Sequence, residues 1–362
     1  MKYVHIGLIG CGSISESHLK AYAANPQVKL VAVCDLKPER AQAVAERYQI
    51  PHTYTDYREL LANSEIDAVS ICTWNNSHAE ISIAALQAGK NVLCEKPLCK
   101  TVEEALEIEQ AVRQSGKLLQ VGYVRRHASN IEVLKRFIDA GDLGEIYYAK
   151  ASLVRRLGNP GGWFADRERS GGGPLIDIGV HVIDLCWYLM GKPKAVSVSG
   201  NTYSKLGNRS NIENYDFYQA ADYDASKNTV EDMANALIRF ENGASLMVDV
   251  SFSLHARTDS AQVSIFGDRG GAEIEPKLSI ATEQHNTIIN IDPQITRPGF
   301  DFQDSFNREI HHFVDNCLGE SQNICPVEDG VEMIKILNAI YRSAAEGREI
   351  RLDGEDANET EQ

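Results

Sequence analysis

One glycine-containing turn near the start of the chain constrains its fold more than any other feature. The sequence GCGSIS at positions 10–15 follows a strand-like run, Tyr3–Ile9, and opens a helical stretch. Gly10 permits a tight turn, Gly12 lets the backbone approach a pyrophosphate group without a Cβ in the way, and the small Ser15 lets the helix pack on the strand. The turn therefore predicts a dinucleotide-binding unit. Its predicted cofactor contacts are Gly10, Gly12, Ser13 and Ile14.

An acidic residue stands at the second position that such a unit needs. Asp35 follows the next β-branched run, Val28–Cys34, and lies 20 residues after Ser15. A carboxylate there accepts hydrogen bonds from the ribose hydroxyls of NAD and repels the additional phosphate of NADP. We therefore predict NAD, with NADP less favoured, although Lys37 nearby weakens that preference. The alternative is a glycine turn and a surface aspartate in some other α/β fold.

Short β-branched runs alternate with longer helical stretches as far as residue 122. The predicted strands are Tyr3–Ile9, Val28–Cys34, Ala68–Cys72, Asn91–Cys94 and Leu118–Val121. The predicted helices are Ser15–Ala24, Pro38–Arg47, His78–Ala88 and Val102–Gln114. Two of these helices stop at a glycine, Gly89 and Gly116, which favours a left-handed C-terminal residue. Repeated strand, helix and strand units predict an α/β fold with one parallel, doubly wound Rossmann sheet over residues 1–122.

The pattern changes near residue 123, where longer alternating segments follow one another with few helices between them. The predicted antiparallel strands are Ile146–Val154, Ala195–Ser199, Ala234–Phe240, Ala244–Phe252 and Gln262–Phe266, with a hairpin turn at Glu241-Asn242-Gly243. This predicts a second, α+β domain over 123–352 with a large, mainly antiparallel sheet, followed by an acidic tail at 353–362. The segment Asn201–Asn228 is polar but carries five aromatic residues, and we predict an ordered functional or interface loop there.

Charge and apolar patterning exclude several classes of partner. Asp and Glu number 51 against 36 Lys and Arg, a formal net charge of −15 at pH 7. A surface of that sign repels nucleic-acid phosphates and anionic lipids, so we predict neither nucleic acid nor a membrane as partner. Since no apolar run approaches the roughly 18 residues that span a bilayer, and no signal-peptide pattern is present, we predict a cytoplasmic protein. The eight cysteines are predicted to be buried, reduced thiols, with no metal site.

Candidate reacting groups occur in two places. Lys96 lies in the sequence CEKP at positions 94–97, which closes a strand whose carboxyl end faces the ligand crevice of an open sheet. Asp177 and His181 lie on a predicted helix after GGGP at 171–174, and their i,i+4 spacing places both on one helical face. That helix is otherwise apolar, so a polar pair on it needs a reason. The structural alternatives are an ordinary surface lysine and a satisfied core pair.

Five segments together resemble one known enzyme family. In chain order they are GCGSIS, CDLKPER, CTWNNSHAEISIAALQAGKNVLCEKPL, QVGYVRR and GWFADRERSGGGPLIDIGVHVIDL. With EKP and DxGxHxxD combined, the chain resembles the glucose-fructose oxidoreductase, inositol dehydrogenase and MocA family over essentially its whole length. The resemblance implies a Rossmann domain, a second domain whose large open sheet forms oligomer contacts, and NAD(P)-dependent oxidation or reduction of sugars and cyclitols. It also implies a homo-oligomer, tetrameric or larger, as does a broad sheet with one partly apolar uncovered face.

The same resemblance assigns the site residues one by one. Lys96, Asp177 and His181 match catalytic positions. Two departures stand out: Ser15 replaces the third glycine or alanine, and Trp74 replaces the proline usual before Asn75. The predicted cofactor contacts beyond the turn are Asp35, Thr73, Trp74, Asn75, His78, Glu95, Lys96 and Tyr123. The predicted substrate contacts are Lys96, Tyr123, Arg156, Trp163, Asp177 and His181.

These residue types suit the oxidation of a secondary alcohol. The carbon loses a hydride to nicotinamide and the hydroxyl loses its proton to a base, for which imidazole is suited near neutral pH. Asp177 would hold His181 in the needed tautomer and Lys96 would donate to the same oxygen; either Lys96 or His181 can be the base. Trp163 can stack on a sugar ring or belong to the core. Arg156 can bind an acidic group or face solvent.

Three functions stay open on the sequence alone. The leading one is an NAD-dependent dehydrogenase acting on a sugar, a cyclitol such as myo- or scyllo-inositol, or the 3-hydroxyl of a glycoside. The second is a glycoside-cleaving enzyme on the same fold that keeps NAD bound and passes through a transient ketone. The third is a non-catalytic NAD(H)-sensing regulator. The presence of Lys96, Asp177 and His181 together argues against the third, since a sensor needs the Rossmann half only.

Overall fold

The chain divides into two compact units. The computed structural model describes residues 2–353, so the predicted acidic tail lies outside the described residues apart from Asp353. One unit takes the chain up to His127 and adds Phe302–Ile334; the other takes Ala128–Asp301 and the chain from Lys335 onward. Both units are thus discontinuous in sequence. The predicted domains, 1–122 and 123–352, are continuous segments, and the roles given to them stay predictions.

A six-stranded parallel sheet forms the centre of the first unit, as predicted. Its elements in chain order are β1 (Val4–Ile9), α1 (Ser15–Ala24), β2 (Val28–Cys34), α2 (Pro38–Tyr48), β3 (His52–Tyr54), α3 (Tyr57–Ala62), β4 (Ala68–Ile71), α4 (His78–Gln87), β5 (Asn91–Glu95), α5 (Val102–Ser115) and β6 (Leu119–Gly122). The strand order is β3-β2-β1-β4-β5-β6. In this doubly wound order the chain changes direction between β1 and β4, and ligands bind at the carboxyl ends of those strands.

Helix boundaries in this unit follow from local chemistry. Thr101 caps α5: its hydroxyl accepts a hydrogen bond from the N–H of Glu104 at 3.2 Å, and the Glu104 carboxylate accepts one from the N–H of Thr101 at 3.3 Å. The helix ends at Gly116, whose φ of +63° favours glycine. Sequence patterning missed β3 and α3, because a three-residue strand and a six-residue helix are too short to show a period.

Residues 123–353 contribute fourteen α-helices and β-strands. In order they are α6 (Ser129–Asp139), β7 (Ile146–Val154), α7 (Arg167–Ser170), α8 (Val180–Leu189), β8 (Ala195–Tyr203), β9 (Met233–Phe240), β10 (Ser245–Ser251), β11 (Ser260–Gly267), β12 (Gly270–Glu275), β13 (Ser279–Gln284), β14 (Thr287–Ile291), α9 (Phe302–Leu318), α10 (Val327–Glu346) and β15 (Ile350–Arg351). Helix α9 belongs to the first unit. Its residues Ile310, Phe313 and Val314 are fully buried against Tyr22 of α1 and Leu93 of β5. Burial of side chains this size stabilises by about 1.5–3 kcal/mol each, which explains why this distant segment joins the parallel sheet.

A nine-stranded sheet dominates the second unit. Its order is β14-β13-β12-β11-β7-β10-β9-β8-β15. The predicted hairpin is confirmed, since the N–H of Phe240 bonds the carbonyl of Ala244 at 2.9 Å around Gly243. The prediction of antiparallel pairing is wrong at one place, because β10 runs parallel to β7. Alternating apolar residues mark a half-buried strand but do not encode the direction of its neighbour.

One face of this sheet bears on the predicted assembly. Leu246, Val248 and Val250 of β10 are buried, whereas Met247 is 39% exposed and lies opposite Leu237 of β9. If this face is the oligomer contact, gel filtration with light scattering at micromolar concentration will give a mass that is a multiple of 40 kDa. Met247→Asp will raise the dissociation constant of the oligomer by about a hundredfold, because a buried unpaired charge opposes association.

The control for assembly is Ile288→Asp on the edge strand β14, where the side chain is 76% exposed. It adds the same charge away from the sheet centre and should leave the mass unchanged. A wild-type protein that elutes as a clean 40 kDa monomer contradicts the predicted homo-oligomer.

Candidate active site

The glycine turn leads from the carboxyl end of β1 into α1 and lies next to the carboxyl end of β4. Gly10 has a φ of +94°, and a Cβ on it would lie 2.6 Å from the carbonyl oxygen of Cys72. Gly12 is exposed, and a Cβ on it would meet nothing within 4 Å. Ser15 is buried and its hydroxyl donates to the carbonyl of Gly12 at 2.6 Å. The serine that replaces a small apolar residue therefore fits the turn and fastens it, while Gly12, Ser13 and the start of α1 stay accessible to a phosphate group.

Asp35, which directly follows β2, holds the same turn in place by hydrogen bonds. One carboxylate oxygen accepts a hydrogen bond from the N–H of Cys11 and the other accepts from the N–H of Lys37, each at 2.8 Å. The side chain is partly exposed, and each oxygen keeps a second lone pair for ribose hydroxyls. Burial, together with the charge of Asp35, raises the pKa of the Cys11 thiol to about 12, so this cysteine is an inert thiol. The residues present thus fit a dinucleotide.

The loop after β4 carries the next predicted contacts. Thr73 is partly exposed, Trp74 is 40% exposed and Asn75 is buried. His78 is fully buried: its Nδ1 lies 2.8 Å from the carbonyl oxygen of Pro97 and its Nε2 lies 3.2 Å from that of Thr73. The imidazole therefore joins the loop after β4 to the loop after β5. Burial lowers the pKa of His78 against the opposing effect of these two carbonyls, which favours the neutral ring.

A buried chain of hydrogen bonds supports the strand end from which Lys96 projects. Glu95 Oε2 accepts from the N–H of Lys96 at 3.2 Å, and Glu95 Oε1 lies 2.8 Å from Nε2 of His18. Nδ1 of His18 lies 3.3 Å from the hydroxyl of Ser70, which lies 2.7 Å from the hydroxyl of Tyr22. Glu95, His18, Ser70 and Tyr22 are buried, whereas Lys96 is partly exposed. The arrangement fixes the backbone of a lysine whose side chain can reach solvent or a ligand.

Sequence reasoning missed three members of this chain: His18, Ser70 and Tyr22. A signal for the first and last exists, because their i,i+4 spacing places both on one face of α1. Leu19, also buried, shows which side of the helix faces the core. A histidine on a buried helix face requires a partner, and that requirement predicts an acid on a neighbouring strand.

Asp177 and His181 stand out within an otherwise buried run of the second unit. Both are partly exposed, whereas every other residue from Gly172 to Trp187 is buried. The expected uniform α-helix is wrong here, since Leu175–Gly179 forms a π-helical turn before α8 begins at Val180. The wider turn changes the i,i+4 relation assumed from an α-helix. Such turns occur frequently at functional sites.

The remaining predicted substrate contacts differ in exposure. Tyr123 is buried, with the guanidinium of Arg126 at 5.1 Å from its ring centroid. Arg156 is exposed and its guanidinium lies 5.7 Å from the ring of Tyr215, in the aromatic segment of the second unit.

Trp163 is partly exposed and its ring lies 3.9 Å from that of Phe164, which meets Tyr218 edge-on at 6.5 Å. Trp163, Phe164 and Tyr218 therefore form one aromatic cluster, with Phe164 in contact with both other rings. The roles assigned to Tyr123, Arg156 and Trp163 stay predictions.

The cysteines and two classes of site can be described directly. None of the eight cysteines, all of which lie within residues 2–353, forms a disulfide; seven are buried, as predicted, and Cys317 is partly exposed. Within residues 2–353 no group of three or more His, Cys, Asp or Glu is placed to hold a metal ion. In that same part of the chain no helix is long and apolar enough to cross a membrane.

Comparison with known families accounts for both halves of the chain. Residues 4–123 match an oxidoreductase family described as an NAD-binding Rossmann fold, and residues 135–352 match the C-terminal alpha/beta domain of the same family. The chain belongs to the Gfo/Idh/MocA oxidoreductase family. As a Gfo/Idh/MocA oxidoreductase it is a dehydrogenase acting on CH–OH groups, with NAD as its cofactor.

Relatives of this Gfo/Idh/MocA oxidoreductase include D-glucoside 3-dehydrogenase of Escherichia coli (strain K12), 33% identical with 96% of this chain and 97% of that protein covered. scyllo-Inositol 2-dehydrogenase (NAD(+)) of Bacillus subtilis (strain 168) is 30% identical, with 97% and 96% covered. Among solved structures, levoglucosan dehydrogenase in complex with NADH and L-sorbose superposes with a TM-score of 0.84 at 26% identity, with 97% of this chain and 99% of that chain covered. The predicted family, fold class and cofactor are thereby confirmed.

Proposed function

We propose that this protein oxidises the 3-hydroxyl of a neutral glucoside with NAD. The observation that carries the proposal is that Asp177 and His181 are both partly exposed within an otherwise buried run, because an imidazole and a carboxylate that are not fully buried can serve proton abstraction from an alcohol. The glucoside class is supported by two relatives named for glucose-derived rings, the glucoside 3-dehydrogenase and the levoglucosan dehydrogenase of Pseudarthrobacter phenanthrenivorans, which is 29% identical.

The proposed roles follow from residue chemistry. Bound NAD supplies a hydride acceptor. The glycine turn and Asp35 hold its pyrophosphate and ribose, while the loops that bear Thr73, Trp74, Asn75, Glu95 and Lys96 bind the rest. Lys96 donates a hydrogen bond to the reacting hydroxyl oxygen. His181 takes the hydroxyl proton and Asp177 holds the imidazole in the required tautomer.

A substrate panel tests this proposal. Methyl glucosides, levoglucosan, free glucose, myo-inositol and scyllo-inositol are incubated with NAD and followed by NADH absorbance, and NMR identifies the product. The expected result is fastest NADH formation with a glucoside and a ketone at C3. Faster oxidation of an inositol overturns the glucoside assignment. Release of the free alcohol without net NADH supports the glycoside-cleaving alternative instead.

Replacement of Asp35 by alanine tests the cofactor half. The variant should bind NAD at least about tenfold more weakly, since hydrogen bonds to a charged group contribute about 1.5–3 kcal/mol, and its efficiency ratio of NAD over NADP should fall as the repulsive charge is lost. Asp67→Ala, which removes a carboxylate paired with His5 in the same unit, is the control. An unchanged NAD to NADP ratio would show that Asp35 does not select the cofactor.

A further inference from the structure

Glu309 is a buried acid on helix α9. It lies on the apolar face of α9 among Phe306, Ile310 and Phe313 and is 0% exposed. Within residues 2–353 neither of its carboxyl oxygens has a hydrogen-bond partner. Its backbone carbonyl, in contrast, accepts from the side-chain amide of Gln120 at 3.5 Å. A buried carboxyl with no partner lowers stability, because no hydrogen bond offsets the loss of its hydration, so its presence requires an explanation beyond packing.

Two of the titratable groups around Glu309 belong to the chain of hydrogen bonds that supports Lys96. The groups that act on Glu309 are Tyr22 on α1, Cys72 after β4 and Glu95 on β5; His18 lies next to Glu95, and Cys317 of α9 acts on Tyr22. The His18 ring lies 5.4 Å from the ring of Phe306, one turn before Glu309. None of these five is a lysine or an arginine.

Two neighbouring carboxyl groups in such surroundings cannot both be ionised without added positive charge. Glu95 has donors for its charge, namely His18 and the N–H of Lys96. Glu309 has none. Burial and the negative charge of Glu95 raise the pKa of Glu309 well above its usual range. The direction of this shift and the lack of hydrogen-bond partners at both carboxyl oxygens within residues 2–353 favour a protonated Glu309.

We propose that Glu309 is a charge-compensating residue of the cofactor half: it holds a proton in the free protein and releases it when oxidised NAD brings a positive charge to the strand end at Glu95. The inference rests on the proposed cofactor contacts at Glu95 and Lys96. Reduced NADH has an uncharged nicotinamide ring and gives no such drive. The proton balance is simple, since protonated protein and NAD⁺ give the complex and one proton to the buffer, and no covalent bond in the cofactor changes.

Binding measurements test the proposal without turnover. Isothermal titration of the full chain with NAD⁺ and with NADH, in two buffers of different ionisation enthalpy, gives the number of protons released. The wild type should release up to one more proton with NAD⁺ than with NADH. Its affinity for NAD⁺ relative to NADH should rise by up to about tenfold per pH unit while Glu309 titrates.

Glu309→Gln removes the proton and should make the affinity ratio independent of pH. Glu309→Leu is the second variant if the glutamine variant folds poorly. The matched control is Glu320→Gln, an exposed glutamate just beyond α9, which should keep the wild-type proton release.

A stability measurement gives an independent readout. The unfolded chain loses the Glu309 proton above about pH 4.3, whereas the folded protein keeps it, so wild-type stability should fall relative to Glu309→Gln as pH rises from about 5 to 8. The Tm of the variant minus that of the wild type should therefore increase across this pH range. A Tm difference that does not change with pH would show an ionised Glu309 and overturn the proposal.

The outcomes separate two failures. NAD⁺ binding without excess proton release, or release retained in both Glu309 variants, overturns the role of Glu309 and leaves the proposed function intact. A protein that does not bind NAD⁺ overturns the proposed function and this inference with it.

Discussion

Replacing Lys96 with alanine is expected to lower kcat by about a hundredfold or more. The proposed contact of its ammonium is to the reacting oxygen, and a group that donates or moves a proton in the transition state contributes about 10²–10⁴-fold. NAD affinity should change little, because the backbone at this position is held by other groups. Glu95 accepts from the Lys96 N–H, and His78 contacts the carbonyl of Pro97. The measurement is steady-state kinetics together with the NAD dissociation constant.

The control for Lys96 is Lys20→Ala on α1, an exposed lysine that pairs with Glu16. It removes the same charge from the same unit and should leave kcat unchanged. A Lys96→Ala variant with near wild-type kcat would remove Lys96 from the chemistry. A variant that loses NAD binding together with turnover would show that Lys96 acts mainly through its cofactor contact and not through the reacting oxygen.

The cofactor half was predictable because its requirements are local in sequence. The turn at 10–15 needs backbone room at Gly10 and Gly12, and Asp35 needs only to follow the adjacent strand, so short-range patterns fix both positions. The structure shows what the unusual Ser15 contributes: its hydroxyl donates a hydrogen bond to the turn, which a glycine at this position would lack. No sequence pattern predicts this hydrogen bond.

The buried chain of hydrogen bonds that supports Lys96 was not predictable, because it joins residues far apart in the sequence. His18 and Glu95 come from different elements, and Glu309 lies on a helix that follows eight of the nine strands of the second sheet. The spacing of apolar residues in α9 is that of an amphipathic helix, but the sequence does not tell which sheet its apolar face covers. An acid on that face, between Phe306 and Phe313, is the one local sign that this helix does more than pack.

The second sheet shows a different limit. Alternation located β7, β9 and β10, yet it did not give the parallel pairing of β7 with β10 or the presence of β12–β14. Strand direction depends on the connection, which here passes through α8 and the long aromatic segment. The sequence pattern also did not predict the π-helical turn at Leu175–Gly179, since helix periodicity does not distinguish a single wide turn from an α-helical one.

Substitution of His181 by asparagine is expected to lower kcat by roughly 10²–10⁴-fold and also to decide which group is the base. An imidazole base must be neutral to accept the hydroxyl proton, so wild-type kcat/KM should fall as pH drops through the range in which histidine titrates, usually near 6.5. If His181 is the base, His181→Asn loses this acidic limb while Lys96→Ala keeps it; the reverse pattern makes Lys96 the base.

Asp177→Asn should also lower kcat, because it removes the charge that holds the His181 tautomer and stabilises the imidazolium. His255→Asn, at an exposed histidine of the second unit, applies the same change away from the site and should leave both kcat and the pH profile as they are. A His181→Asn variant with wild-type turnover and an unchanged pH profile would show that the partly exposed residues Asp177 and His181 have a structural role only.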